Sequence, residues 1–419
     1  MELAHALALR LRPRSLGYRQ TWGGAPDPGE LARDPLYGSA YLPRKFKIAV
    51  GVPPENDLDI YAHDLGFAAL STSPGAAPRA WSALIGGGMG AARNRPEARP
   101  LLALPLGTIP AEPDHARALA LAAAVLSVQR DWGDRKDRKQ ARLKYTLRRR
   151  GIGLVRAEIE RRAGFRIDPP EPIEWGPPSA HLGWSEDSEG SSCSLGLWIP
   201  GGRIADAGPV RLRSGVRALA CALREGAPGA LLVVTAEQNL IVAGVPRGRV
   251  AEAEAILDEF GIRERAAPQA APVARRALAC VALPTCGLAL AEAERALPEA
   301  VREVRAALCS AGLADEKLDL RMTGCPNGCA RPYLAELALT GCGPGRYDVF
   351  LGGGAAGRRL AHLWREREPL KGLGSVLEPL FLRWARERRP GERFGEWAAR
   401  AGVADAEEGG GSPPESAAF

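Results

Sequence analysis

Two pairs of cysteines, Cys280 with Cys286 and Cys325 with Cys329, constrain this chain more than any other feature. Four thiols so spaced must share either a core or a metal. The first pair has five residues between its members and the second has three. Residues 279–283 read as a short apolar strand and residues 287–297 (GLALAEAERAL) have helical periodicity. That pattern predicts Cys286 near a helix N-terminus, where free N–H groups and the helix dipole stabilise thiolates. In the second clip Pro326 and Gly328 favour a tight loop, and Gly328 permits close approach to a flat ligand. Pro332 then suits the first turn of a following helix. The residues alone leave three readings open. They are a cubane iron–sulfur cluster on four thiolates, a structural zinc site, which favours the shorter of the two loops, and buried apolar cysteine pairs.

A second constraint is an internal repeat. Residues 82–90 (SALIGGGMG) form an apolar run that ends in glycines, and residues 347–354 (YDVFLGGG) repeat it. Each copy follows a stretch of candidate chemistry, first at 41–50 and then at 318–329, and each precedes a helical run. Neither triple glycine has dinucleotide-fingerprint spacing or a following Lys-Ser/Thr, so tight turns with close backbone packing are expected. Residues 41–50 alternate as a strand. Lys45 and Lys47 point to one face, and Phe46, Ile48 and Val50 to the other. Two ammonium groups thus share a cavity or a solvated edge.

The 419 residues can bury two or three cores, and 56 basic against 49 acidic residues leave a charge of +7. A basic balance points to an anionic partner. Much of it lies in residues 115–150, read as a long helical stretch that turns strongly basic from Arg130 to Arg150. Asp131, Asp134 and Asp137 interrupt that run and can pair at helical spacing. A largely solvated helix with some arginines turned inward is therefore favoured over a nucleic-acid surface. Residues 168–192 read as a connector. Residues 195–265 follow as strand, helix, strand and helix at 195–199, 214–225, 231–245 and 250–260, with Gln238 and Asn239 at a polar break. Cysteines at metal-clip spacing, with no signal peptide or long apolar segment, suit a reducing cytoplasm and exclude a membrane span.

The run Thr323-Gly-Cys-Pro-Asn-Gly-Cys-Ala-Arg331, with Pro284-Thr-Cys-Gly-Leu-Ala-Leu-Ala-Glu-Ala-Glu-Arg295, closely resembles the cluster-binding motifs of assimilatory sulfite reductases, in the siroheme sulfite and nitrite reductase family. The likeness extends to residues 42–47 (LPRKFK), 129–139 with 144–146, 181–184 (HLGW) and 235–244 (TAEQNLIVAG), and covers nearly all of 35–402. It implies an α+β fold of duplicated, pseudo-twofold reductase units, with one ferredoxin-like half domain and with siroheme and a [4Fe–4S] cluster between the units. Cys280, Cys286, Cys325 and Cys329 would ligate the cluster, and Cys329 would also be the axial thiolate of the siroheme iron. Lys45 and Lys47 would hold the anion and deliver protons, and Arg44, Gln238, Asn239 and Asn327 would contact the cofactor. Eight carboxylates on siroheme would answer the basic balance.

The layout so implied is a helix and linker at 1–36, a first repeat at 37–167, a connector at 168–194, the half domain at 195–268, a second repeat at 269–403 and a disordered tail at 404–419. The implied reaction is six-electron reduction of sulfite to sulfide, fed by a flavoprotein or ferredoxin. Nitrite reduction with the same cofactors is the second reading, and a zinc- or nucleic-acid-binding protein the third. Residues 1–12 correspond to the region leading out of the family's N-terminal half. Two arginines of the family's anion pocket belong to that half, so an incomplete pocket is expected here.

Overall fold

Phe46, Ile48 and Val50 pack against the first of the chain's large cores, as the alternation predicts. The computed structural model describes residues 1–13, 34–38, 41–71, 76–176, 179–187, 190–227, 229–266, 268–354 and 356–403. They fall into two units. The first is Met1–Gln269 with Pro326–Arg331 and Ala355–Arg359, and the second is Ala270–Cys325 with Pro332–Gly354 and Leu360–Phe419.

In the first unit α1 (Glu2–Arg10) buries Leu3 and Leu7. β1 (Ile48–Gly51) pairs parallel with β2 (Leu65–Leu70), which pairs antiparallel with β3 (Ala80–Ile85), and β3 with β4 (Leu104–Pro110). Every residue of β2 and β3 is buried, because the sheet is covered on both faces. α2 (Ala116–Trp132), α3 (Leu143–Arg150) and α4 (Ile152–Ala163) contribute Leu121, Val125, Leu143 and Ile159 to the core that Phe67 enters. Ile60, Leu84 and Ile173 form a separate, smaller core. A second sheet contains β5 (Gly183–Glu186) and β6 (Ser192–Leu197); a two-strand ribbon of β7 (Asp206–Ala207) and β8 (Val210–Arg211) leads to α5 (Leu212–Gly226), β9 (Leu231–Val234), β10 (Leu240–Pro246) and α6 (Val250–Glu259). Its strand order is β5-β6-β10-β9, over a core of its own around Leu195, Leu219, Val242 and Leu257.

The second unit opens with α7 (Pro272–Arg275), β11 (Leu278–Ala279), α8 (Leu297–Ser310) and β12 (Leu320–Thr323), and continues with β13 (Leu337–Gly343), β14 (Arg346–Leu351), β15 (His362–Pro369), α9 (Leu373–Glu387) and α10 (Phe394–Arg400). β11, β12 and β13 are parallel, and β14 and β15 continue antiparallel. Setting β11 aside, the pairing repeats that of β1 to β4. The triple glycines repeat too. Gly86 and Gly352 have φ of 88° and 90°, and a Cβ on Gly87 or Gly353 would meet a carbonyl oxygen at 2.1 or 2.2 Å. Close backbone packing, as expected, is what they provide.

Several expectations fail. Residues 287–296 form turns rather than helix, so Cys286 does not sit at a helix N-terminus. Leu290 and Ala291 both give their N–H groups to Gly324 O, and Glu294 gives its own to Cys280 O, so neighbouring chain has taken the donors a helix would use. The strand at 279–283 shrinks to Leu278–Ala279, and that at 41–50 to Ile48–Gly51. The long helix at 115–150 breaks at Gly133, where a Cβ would stand 2.5 Å from Gln129 O and 2.6 Å from Pro43. The stretch at 231–245 divides at its expected polar break into two strands with a turn between them. The connector at 168–192 contains β5. Cys309, near the end of α8, is exposed. The tail at 404–419 and residues 14–33 of the N-terminal linker lie outside the described residues. Among those described, no helix is long and apolar enough to cross a membrane.

Candidate functional site

The segment leading into β1 sets the two lysines. Lys47 N–H donates to Asp64 Oδ2 at 3.0 Å and its carbonyl accepts Leu65 N–H at 3.1 Å, which turns residues 46, 48 and 50 inward and Lys45 and Lys47 outward. Both lysines are exposed. Among the described residues neither ammonium has a hydrogen-bond or ion-pair partner. Partial desolvation and then the charges of Lys45 and Arg142 hold Lys47 below the ordinary lysine value, against the pull of Asp64 and Cys329. Desolvation, Arg138 and Arg142 lower Arg44 as well. Mutual repulsion in such a group of cations is relieved by an anion.

Beneath them, Arg142 grips Asp64 with two bonds, Nε to Oδ1 at 3.2 Å and Nη2 to Oδ2 at 2.5 Å. Burial pushes the Asp64 carboxyl up, and Arg142 opposes it. Arg142 is one of the inward-turned arginines expected from the basic run. Two residues on, buried Lys144 donates to the carbonyls of Gly88 (3.0 Å), Gly90 (2.8 Å) and Arg99. The same glycine loop receives the cysteine loop, since Ala91 N–H donates to Pro326 O at 2.9 Å.

Cys329 and Asn327 lie exposed in the segment Pro326–Arg331, which belongs to the first unit. Gly328 at φ 66° and Arg331 at φ 53° close the loop, with Arg331 N–H on Gly328 O. The Arg331 guanidinium pairs with Asp59 and donates to Ala236 O at 3.1 Å. One side chain thus ties the cysteine loop to the segment after β1 and to the turn between β9 and β10. Nothing in the sequence marked Arg331 beyond its place at the end of the motif. In the turn, Gln238 has φ 61°. Asn239 is buried. Its Oδ1 accepts Ile199 N–H at 3.1 Å, while its Nδ2 has no partner among the described residues. A buried donor left without an acceptor is costly, which suits a ligand oxygen at this place. His63, with Nδ1 3.1 Å from Asp59 O, is pushed down to about 4 by burial and so stays neutral at neutral pH.

Cys280, Cys286 and Cys325 belong to the second unit. Gly324 knits their two clips together. Its N–H donates to Cys280 Sγ at 3.4 Å, and its carbonyl accepts Leu290 and Ala291. A Cβ there would meet Ala282 Cβ and Ala291 O at 2.6 Å, so only glycine fits. None of the eight cysteines is in a disulfide. Thiols outside any disulfide, an N–H directed at sulfur and backbone close enough to exclude a side chain fit a thiolate-held cluster.

Known proteins resemble this chain over most of its length. The family described as "Nitrite and sulphite reductase 4Fe-4S domain" matches residues 21–167. A sulfite reductase [NADPH] hemoprotein beta-component from Acidithiobacillus ferrooxidans is 44% identical over 95% of this chain and 68% of its own length. The chain belongs to the sulfite reductase hemoprotein family. A Methylobacterium sp. (strain 4-46) protein of the same description is also 44% identical, over 95% of this chain and 66% of its own length. The chain therefore spans about two thirds of the curated relatives it matches. The solved structure of Mycobacterium tuberculosis NirA protein, at 24% identity, superposes with a TM-score of 0.69 over 90% of this chain and 67% of that one, which supports the α+β fold. The matched residues 21–167 contain no cysteine, so that match bears on the duplicated domain and leaves the thiolates of residues 280–329 to the motif.

Proposed function

We propose that this chain takes part in the six-electron reduction of sulfite to sulfide, using siroheme and a [4Fe–4S] cluster. The reading is carried by one observation: the Lys45–Lys47 segment and the Cys329 loop belong to the same unit, where Asp64 holds Lys47 N–H, Arg142 joins Asp64 to Gly87 O, and Ala91 at the end of that glycine loop donates to Pro326 O. When bound, the coupled cofactors supply electrons one at a time at an iron able to take the sulfur of sulfite. Cys280, Cys286, Cys325 and Cys329 would hold the cluster, and Cys329 would also serve siroheme. Arg44, Gln238, Asn239 and Asn327 would contact the macrocycle, where Asn239 Nδ2, without a partner among the described residues, has a proton to donate. Lys45 and Lys47 hold the anion and hand it protons, which a lowered lysine pKa favours. Asp64 orients Lys47 by holding its N–H.

Residues 37–167 and 269–403 act as the two reductase repeats, and 195–268 as a ferredoxin-like half domain. The relatives are named as NADPH hemoprotein beta-components, which supports a flavoprotein electron donor, and cysteines at metal-clip spacing suit a cytoplasmic setting. Anaerobic reconstitution followed by iron and acid-labile sulfide analysis tests the reading. Cys329→Ser should lose the coupled cluster–siroheme spectrum, and Cys309→Ser, on the exposed face of α8, should keep it. Equal spectra for Cys329→Ser and the parent would sink it.

A further inference from the structure

The loop after β1 and the residue two before β5 bring two carboxylates and an imidazole together, apart from the lysines and cysteines. His181 Nε2 lies 3.0 Å from Glu55 Oε2 and 3.4 Å from Asp57 Oδ2, and the three ligand-capable atoms all fall within 4.8 Å of one another. Donors at about 2.0–2.1 Å around a tetrahedral ion stand roughly 3.3 Å apart. The two separations made by the imidazole nitrogen are of that size.

The groups are held there by bonds that do not involve them. Asn56, between the two acids, turns inward; its Oδ1 accepts Ile60 N–H and its Nδ2 donates to Ala356 O, both at 2.8 Å. Glu55 and Asp57 therefore emerge on the side that meets His181. His181 has φ 48°, its N–H donates to Ser179 Oγ at 3.1 Å, and a Cβ on Gly196 would lie 1.6 Å from its carbonyl oxygen, so β6 seats it directly. Gly176 N–H on Pro54 O, at 2.6 Å, ties together the stretches that carry the two sides. The side chains of Glu55, Asp57 and His181 remain 36%, 26% and 33% exposed, which leaves an ion a way in.

The repeat supplies an independent pointer. Lys47 matches Asp319 and Asp64 matches Glu336 by their hydrogen bonds, and Asp59 and Arg331, at φ 49° and 53°, keep the same spacing between them. Within that frame Asp57 stands where the second repeat has Cys329, and Glu55 where it has Asn327. The loop position that carries a metal-ligating type in one repeat carries it in the other, with oxygen in place of sulfur.

We infer that Glu55, Asp57 and His181 form a binding site for a divalent first-row metal ion. Two carboxylates neutralise the charge of the ion and suit Mn²⁺, and one imidazole favours Zn²⁺ over Ca²⁺ or Mg²⁺. Three protein donors leave a position for water.

Mn²⁺ is the probe of choice, because it avoids thiolates and so reports this site rather than the cysteines. The full chain, treated with chelator and then titrated with Mn²⁺ while the free ion is followed by EPR, should take up one ion. Asp57→Asn and Glu55→Gln, which keep side-chain shape, and His181→Gln should each weaken uptake about tenfold or more, with circular dichroism unchanged. Absence of saturable binding up to millimolar Mn²⁺, or equal uptake by the two isosteric variants, would overturn the site and leave an ion pair only.

Discussion

Lys47 and Asp319 occupy one place in the two duplicated sheets, and their side chains meet opposite fates. Each carbonyl accepts the first N–H of the next strand, Leu65 or Leu337, and each N–H donates to a buried acid, Asp64 or Glu336. The acid in each case is gripped by an arginine at the start of a helix, Arg142 before α3 or Arg393 before α10. Asp319 is then consumed by Arg276 at 2.5 Å and Arg393 at 3.3 Å, whereas the Lys47 ammonium has no such partner among the described residues. Duplication has kept the backbone and its buried ion pair. What changed is the side chain carried on it, a free cation in the first repeat and a spent carboxylate in the second, with Cys325 following two residues after β12.

The largest expected effect tests the shared skeleton. Asp64→Asn leaves the buried Arg142 guanidinium without its charge partner and should cost about 3–5 kcal/mol in urea unfolding, and Glu336→Gln, which leaves Arg393 only Asp319 at 3.3 Å, should fall at the lower end of that range. Losses that differ severalfold would break the equivalence of the repeats. A difference in function should appear as well, since only Asp64→Asn frees the backbone of Lys47.

Next is the side chain on which the repeats diverge. Lys47→Met should keep iron and sulfide but lower sulfite turnover by about 10²-fold, the usual size of a general-acid contribution. Asp319→Asn should leave turnover per cofactor alone. If Lys47→Met turns over sulfite normally, the segment before β1 merely faces solvent.

A smaller and more symmetrical effect belongs to the glycines. Gly87→Ala and Gly353→Ala each place a methyl within 2.2 Å of a carbonyl oxygen, and each should destabilise by about 1–3 kcal/mol. Thermal unfolding that spares one of the pair would mean that only one glycine turn is tightly packed.

Features written in local pattern were legible in the sequence. The lysine alternation and the triple-glycine turns need only neighbours along the chain to be recognised. What escaped depends on chain that arrives from elsewhere. Residues 287–296 have helical propensity, yet Gly324 O takes two of their N–H groups, a tertiary bond that local periodicity does not encode. Arg331 reads as one more arginine after a cysteine, and its role comes from Asp59 and Ala236, 272 and 95 residues away. Gly133 ends α2 because Pro43 occupies the space beside it.

The smallest effect concerns the second residue of the helix in each repeat. Lys144 stands two residues after Arg142, and Gly395 two after Arg393. Gly395 gives its N–H to Glu336, and a Cβ there would meet Gly353 O at 2.2 Å, so helix backbone packs straight onto the glycine turn. In the first repeat the gap is filled by the Lys144 side chain and its three carbonyls. Burial, and then Arg142, push that ammonium down to about 7 from the ordinary value of 10.5. Between those values the unfolded chain binds the proton more tightly than the folded chain, so stability rises with pH from about 7 toward 10.5 and is lost again as pH falls back. The slope from this one group is at most about 1.4 kcal/mol per pH unit. Lys144→Met should remove that rise from urea midpoints taken at pH 7, 8 and 9, and make the first repeat as insensitive to pH at this position as the second, where no side chain titrates. A difference between parent and variant that stays constant over the range would show the ammonium held protonated by its three carbonyls, and the asymmetry between the repeats would then be one of packing alone.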